Sequence, residues 1–567
     1  MSAMPNDPAA RPARPPVLVP APLARGRRGA VVAPHHLATD AGLAILRAGG
    51  TAVDAAIATN AVLGVVMPQG CGLGGDAFWL IWDEAAGRQH GLNGSGRAPS
   101  GIDVDAIRAL GVTVIPPRGP LAVTVPGAVR SWGDAHARFG RLPRSAVLAP
   151  AIELAAGGFP AWPGFVGAVE ATLPLATAAM GAGSGFERVY RPHGRPWHVG
   201  EIVRLPALAA TLERLAGAGF DDFYEGGIAE RQARGLAAVG SAIGASDLAA
   251  HRSTWTEPIA TDYRGVRVTT HPPNSSGIVA LELLNILARF DAPPPAAFGP
   301  AGVADAAWIH LGIEAAKLAL ADRDAHVSDP DFVSIPVERL LSADHAAALA
   351  GRIDRRRAAP PPAARSPRGG GTIYLATVDG EGNAVSLIES NYMGFGSTVV
   401  DPDTGIHYQN RGSFFSLDPA HPNVLAPSKR TLHTLLPGML FRAGQRRPWI
   451  VTGSMGGDAQ PQIHAQVVSA LVDGAVDVAT AVGAPRWFVE PAAHFAPPVE
   501  VRAEPRLAED VLAELEARGH PVTRTQPFDG WLGHAHAIEL VGGGPADPEG
   551  SLAAATDPRS AGLPAVR

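Results

Sequence analysis

The sequence has almost nothing with which to cross-link itself. Among 567 residues there is one cysteine, Cys71. That excludes an intramolecular disulfide framework and any multi-cysteine zinc or iron–sulfur site. Lysine is nearly absent: Lys317 and Lys429 are the only two, a bias of composition rather than of chemistry. Neither sign of charge is in large excess. The 47 basic and 53 acidic side chains leave a formal charge of −6, which gives no electrostatic case for nucleic acid or an anionic membrane. Long apolar runs are missing as well. Ala52 to Met67 is interrupted by Asp54, Asn60 and Gly64, and no segment reads as a membrane span. Met1 to about Arg28 is rich in Pro, Ala and Arg and lacks an apolar signal core. Residues 1–28 are expected to be a disordered tail rather than a secretory signal, and the cytoplasm is the expected compartment.

What is present suits a large globular core: 46% hydrophobic and 18% charged residues. The 66 glycines and 53 prolines are scattered rather than periodic, which excludes a collagen-like chain. Length alone suggests three or four domains. Helical and strand patterns alternate from Ala30 to about Ala350. Val53 to Val62 reads as a buried Ala-rich helix entered from Gly49-Gly50-Thr51, and Phe78 to Trp82 as a buried strand. Val147 to Ala156 and Ile309 to Ala321 read as helices with apolar stripes. The character changes at Arg355, where a Pro/Arg/Gly stretch (355–371) reads as a mobile linker. Thr372 to Asp379 and Ala384 to Ile388, joined by Gly380-Glu381-Gly382-Asn383, read as a β-hairpin starting directly after it.

Several motifs compete for the chemistry. Cys71-Gly72-Leu73-Gly74-Gly75 superficially resembles a phosphate loop. It follows a helix and leads into a strand, the reverse of what that loop needs, so a close backbone approach is the better reading. His534 and His536 could face one way on a strand, but no third ligand stands at metal-site spacing. Cys71 reads as a small buried residue rather than a thiol nucleophile, and there is no G-x-S-x-G elbow. Gly371-Thr372 is the most informative junction. A hydroxyl residue that opens a strand after a flexible glycine run can attack the carbonyl before it. An N→O acyl shift and hydrolysis would then free its α-amine. With a pKa near 7.7–8.0, that amine can serve as base for the hydroxyl on the same residue. Gly-Thr before a strand is common, so neighbouring motifs must decide.

Five segments do so: Ala48-Gly49-Gly50-Thr51-Ala52-Val53-Asp54-Ala55-Ala56; Gly72-Leu73-Gly74-Gly75-Asp76-Ala77-Phe78; Pro126-Gly127-Ala128-Val129; Val378 to Ser386 with Gly394-Phe395-Gly396-Ser397; and Thr452-Gly453-Ser454-Met455-Gly456-Gly457. Together, in this order, they resemble the γ-glutamyltransferase (glutathione hydrolase) family from about Gly29 to about Gly542. The resemblance implies an α+β fold, the four-layer αββα sandwich of the N-terminal nucleophile (Ntn) hydrolases. It also implies a precursor cut between Gly371 and Thr372 into a large subunit (29–371 after the tail) and a small one (372–567), both in one domain. Counting seven residues back from Asp379 places the nucleophile at Thr372. Ser390 matches the hydroxyl that bonds the nucleophile, and Gly456 and Gly457 match the pair whose N–H groups form the oxyanion hole.

The departures lie in substrate recognition. Ser95 stands where the family has the Arg for the glutamyl α-carboxylate, and Arg97 follows two residues later. Phe414 replaces the Asp that holds the α-amine, and His433-Thr434 replaces a Ser-Ser pair. Phe415 to Lys429 is short for a lid. Arg97, Tyr392, Asn410, Arg411, His433 and Thr434 are the expected substrate-binding residues. The reaction centre is intact while the amino-acid end of the pocket is rebuilt. The resemblance is therefore to a divergent branch that includes glutaryl-type cephalosporin acylases and small-amide amidohydrolases. The expectation is a self-processing enzyme that cleaves, or transfers, the acyl group of a γ-glutamyl or glutaryl-like amide. No metal or organic cofactor and no nucleic-acid or membrane partner is implied; the processed heterodimer is free to assemble further. The rivals are a hydrolase of another small carboxylate-bearing amide, an unprocessed non-catalytic relative and a Cys71 thiol enzyme.

Overall fold

The structure is a computed structural model that describes residues 21–360, 371–490 and 500–567. Two seven-stranded sheets, each antiparallel throughout, form its centre. In the first the order is Ala565–Val566, Ala30–Val32, Gly371–Val378, Ala384–Tyr392, Asp76–Asp83, Arg88–Gly94, Thr254–Thr256. In the second it is Leu23–Gly26, Ser551–Ala555, Ala535–Val541, Ile450–Ser454, Pro437–Arg442, Val266–Thr270, Ile259–Tyr263. Both sheets contain strands from before and after residue 371, so each sheet is built from both halves of the chain.

The layers follow from the side chains. Strands alternate their faces. Phe78, Leu80, Trp82, Tyr374, Ala376 and Ile388 of the first sheet meet Met439, Phe441, Val451, Ile538 and Leu540 of the second in a continuous dry core. The opposite face of the first sheet carries Trp79, Ile81, Ile373, Leu375, Val385 and Leu387. These pack under the helices Ala52–Val66 and Arg144–Gly157. The second sheet is covered by Gly277–Leu287, Ala306–His326 and Gln460–Val472. Helix, sheet, sheet, helix is the expected αββα order.

The helix Ala52–Val66 is buried along its whole length, which accounts for its lack of a polar stripe. Thr51 and Asp54 close a capping box at its start. Asp379, in the turn of the predicted hairpin, accepts the Ala52 N–H at 3.0 Å and so fixes this helix to the strand Gly371–Val378. The hairpin itself is Gly371–Val378 paired with Ala384–Tyr392, four residues longer at its far end than the sequence pattern shows.

Two boundaries need correction. The tail expected over 1–28 reaches too far, because Leu23–Gly26 pairs with Ser551–Ala555 as an edge strand. Residues 1–20 lie outside the described ones. The linker expected over 355–371 is held at its start. The Ala358 N–H donates to the Arg518 carbonyl at 2.7 Å and the Ala359 N–H to Glu314 at 3.1 Å. Residues 361–370 also lie outside the described ones. No described helix is long and apolar enough to cross a membrane.

Candidate active site

Thr372 is buried near the start of its strand, opposite Ser390, with their hydroxyls 2.9 Å apart. The pairing then slips by one residue. Gly371 faces Tyr392, so Asn391 bulges out, and Tyr392 takes a left-handed φ of 74°. Bulges of this kind re-aim side chains next to reaction centres. Here the slip brings the Gly371 carbonyl to the Ser390 hydroxyl, which donates to it at 2.8 Å. Ser390 Oγ in turn accepts the Tyr392 N–H at 2.7 Å. With its one proton on Gly371, Ser390 can only accept from Thr372. A hydroxyl chain therefore runs from Thr372 through Ser390 to the carbonyl of the bond between Gly371 and Thr372. That chain polarises the carbonyl and gives the Thr372 proton somewhere to go.

Gly371 is there because nothing larger fits. A Cβ would come within 2.7 Å of the Gly394 nitrogen and 2.8 Å of the Gln69 carbonyl oxygen, both backbone atoms that cannot swing away. Arg118 pins the loop responsible. Its guanidinium donates to the Gly394 carbonyl at 2.7 Å and also to that of Gly396.

Arg411 reaches the same place from the short helix Arg411–Phe414. It donates to Thr434 Oγ1 at 3.2 Å and to Ser390 Oγ at 3.4 Å. Its guanidinium lies 4.2 Å over the Tyr392 ring and 6.0 Å from that of Phe414. It is fully buried, Nε has no partner, and no described carboxylate lies within ion-pair distance. Burial lowers it to about 10, which leaves it charged at neutral pH. Asp76 and Asp458 act on it only from beyond ion-pair distance, and a desolvated cation with no anion in contact is costly unless a ligand supplies one.

The other expected contacts separate into two groups. His433 and Thr434 join Arg411. His433 Nε2 lies 3.2 Å from Asp76, its Nδ1 has no partner, and burial holds the ring well below its ordinary value, so it is neutral. Arg97 does not join them. It is bound to Asp329 at 3.2 Å and Asp331 at 2.7 Å, with a further bond to the Ser428 carbonyl. Ser95, at the family's Arg position, is closed into a network with Asn93 and Asn274. Asn410 is also occupied. Its Oδ1 accepts the Met393 N–H and its Nδ2 donates to the Pro117 carbonyl, so it positions the segment that carries Arg411.

Gly456 and Gly457 end the strand Ile450–Ser454, which packs across from both strands of the nucleophile hairpin. Gly456 has φ 143° and Gly457 φ 59°, conformations open to glycine. Neither N–H donates to a described residue. Asp458, the next residue, is close enough to act on both Tyr392 and Arg411. Two unspent donors at the end of a strand packed against the hairpin that carries Thr372 are the kind of group that can receive an oxyanion.

Three charged residues escaped the sequence reading. Asp76 lies opposite Ser390 in the sheet, accepts the Gly96 N–H at 2.9 Å, and is pushed up to about 7 by burial. Asp458 is held by Arg323, which is fully buried. The remaining one is Arg118. The Gly-Gly-Asp and Gly-Gly-Asp repeats at 74–76 and 456–458 were the available signal.

The rival sites fall away on geometry. Burial, and then Glu389 beside it, raise the Cys71 thiol well above its usual range, the opposite of what a nucleophile requires. Gly74 meets the His407 carbonyl so closely that a Cβ would clash with it, the close approach expected of that loop. His534 is half-buried and His536 buried, and neither belongs to a described cluster of three metal-ligating side chains.

Comparison with known proteins agrees with this geometry. The family model described as gamma-glutamyltranspeptidase matches residues 38–566. The chain belongs to the γ-glutamyltranspeptidase family. It is an Ntn hydrolase of that family, a threonine-dependent amide-bond enzyme. An oxamate amidohydrolase proenzyme of Klebsiella pneumoniae is 39% identical over 548 residues, covering 95% of this chain and 98% of that protein. A glutathione hydrolase-like proenzyme of Bacillus subtilis is 38% identical over 539 residues, with the same two coverages. The crystal structure of a cephalosporin acylase from Bacillus halodurans superposes with a TM-score of 0.87 at 38% identity, covering 99% of each chain. The departures from the γ-glutamyltranspeptidase pattern thus sit in a chain whose relatives include amidohydrolases and acylases.

Proposed function

We propose that the protein cleaves itself between Gly371 and Thr372, and then hydrolyses or transfers the acyl group of an amide that carries a carboxylate but no α-ammonium group. Thr372 Oγ1 attacks the amide carbonyl. Its freed α-amine takes the hydroxyl proton and passes it to the leaving amine, and Ser390 holds the hydroxyl. The N–H groups of Gly456 and Gly457 receive the oxyanion. Water, or an acceptor amine, resolves the acyl-threonine. The relatives' names as proenzymes support the first step, as does the Ser390 bond to the Gly371 carbonyl.

One observation carries the substrate class: the buried guanidinium of Arg411 beside Ser390, with no described carboxylate in contact with it. It supplies the charge that an acyl carboxylate needs. Phe414 takes the place of an acidic partner for an α-ammonium group, which favours glutaryl-like acyl groups over γ-glutamyl ones. A shorter acyl group is a second reading, favoured by distance. Arg411 stands one 3.4 Å contact from Ser390, which stands one 2.9 Å contact from the nucleophile. An extended five-carbon acyl chain spans roughly 5 Å between its end carbons, whereas an oxamate-like acyl group places its carboxylate directly on the reacting carbonyl. The test is a comparison of kcat/KM for glutaryl, γ-glutamyl and oxalyl (oxamate-type) amides of one amine. Preference for either ammonium-free acid supports the reading, and preference for the γ-glutamyl amide contradicts it.

A further inference from the structure

Three helices on the outer side of the second sheet bring Glu282, Asp322 and His345 together, away from the reaction centre. Glu282 comes from Gly277–Leu287, Asp322 from Ala306–His326 and His345 from Ala343–Ala350. One ligand atom of each lies within 4.8 Å of the others. His345 Nε2 is 2.7 Å from Asp322 Oδ2 and 3.3 Å from Glu282 Oε1. An imidazole nitrogen has one proton to give, and it points to Asp322. Glu282 Oε1 consequently makes no hydrogen bond, although its side chain is only 1% exposed and is aimed into the cluster. Arg339 is the neighbouring cation, and its recorded bond is to His326 at 3.0 Å rather than to either carboxyl.

We infer that Glu282, Asp322 and His345 form a site for a divalent first-row transition cation, zinc above all. Two carboxylate oxygens and one imidazole nitrogen are a common zinc donor set. At metal–ligand distances of about 2.0–2.2 Å, tetrahedral ligands stand roughly 3.3 Å from one another; His345 and Glu282 already stand at that separation, and the hydrogen-bonded His345 and Asp322 pair at 2.7 Å would open slightly. A cation also supplies a partner for Glu282 Oε1, in place of the proton that this carboxyl shares with Asp322. Asp322 and His345 are partly exposed, at 20% and 16%, which gives an entry path. The other cluster of this composition, His310, Glu314 and His520, lacks such an opening. Glu314 is spent on Lys317 and the Ala359 N–H, and His310 on His520 and the Asp354 carbonyl.

The site has a route to the active centre. Arg323 follows Asp322 directly and holds Asp458, the residue after Gly457. A cation on Asp322 would stiffen the helix that supports the oxyanion loop.

The test is zinc titration of the full-length protein after stripping with a chelator, read by calorimetry and by the thermal midpoint. Wild type should bind one zinc per chain and unfold at a higher temperature with it. Glu282→Gln matches a neutral carboxylic acid in shape and should stay folded without binding zinc. His345→Ala, at a partly exposed position, should weaken binding by at least about tenfold. His310→Ala should bind as wild type does. Failure of wild type to bind zinc overturns the inference. So does binding that survives in Glu282→Gln and His345→Ala but is lost in His310→Ala.

Discussion

Arg411 is where specificity concentrates, because it brings an unpaired charge to a nucleophile that could otherwise attack any small amide. Arg411→Gln should lower kcat/KM for carboxylate-bearing amides by about a hundredfold or more, the usual cost of losing one partner of a desolvated charge pair. Its effect on uncharged amides should be far smaller, and parallel kinetics on the two substrates would check this. Asp76 adds a pH dependence. Burial raises it to about 7, and it acts on Arg411 electrostatically. Below that pH it is neutral and leaves the guanidinium to the substrate. Above it the carboxylate competes. The account predicts that kcat/KM for anionic substrates falls as pH rises above about 7 and that Asp76→Asn removes this alkaline fall. A profile unchanged by the substitution would contradict it. Arg411, His433 and Thr434 drew notice in the sequence because they stand at motif positions. Arg97 was misplaced because a two-residue offset in sequence says nothing of Asp329 and Asp331, which reach it from a distant segment.

At the scale of elements, the proposed cleavage is confined to one bond. The nucleophile strand was visible from the abrupt change between a Pro/Gly linker and a β-rich run. The slip opposite Asn391 was not. A bulge depends on the partner strand and leaves no period in the sequence. That slip seats the Gly371 carbonyl on Ser390 within a cage of backbone atoms from Gln69, Met393 and Gly394. Gly371→Ala should therefore slow or block processing, because its Cβ must displace backbone. A time course on a denaturing gel would show an uncut chain persisting. Processing at the wild-type rate would mean the cage yields more easily than its contacts suggest.

At the scale of the molecule, the length suggested several domains and the structure has one sandwich. Strands from both sides of residue 371 interleave in both sheets, so the pieces are held by pairing and core rather than by cysteine chemistry, which Cys71 alone cannot provide. The αββα order followed from the family motifs; periodicity alone would not have revealed it, because fully buried elements such as Ala52–Val66 carry no polar face. The same burial sets the pH dependence of stability. Asp76 and Glu389 are raised by burial to about 7 and about 8, above their values in an unfolded chain. These two carboxyls hold protons that the unfolded state has released, and their contribution to stability is lost as pH rises through about 7 to 8. Buried histidines such as His407, His464 and His536, lowered by burial to about 4, 4 and 3, act the other way: the unfolded chain protonates them first, so stability is lost as pH falls below about 6.5. Thermal midpoints should therefore rise from pH 5 to about 6.5, and Glu389→Gln should lose less stability than wild type between about pH 7 and 8.5.

The central claim is that Thr372 becomes the N-terminal nucleophile of this enzyme, and intact-mass spectrometry of the purified protein tests it most directly. The account predicts two polypeptides, the smaller beginning at Thr372, and a single uncut chain without activity for Thr372→Ala. An active wild-type protein that remains uncut, or one cut at a different bond, would contradict it.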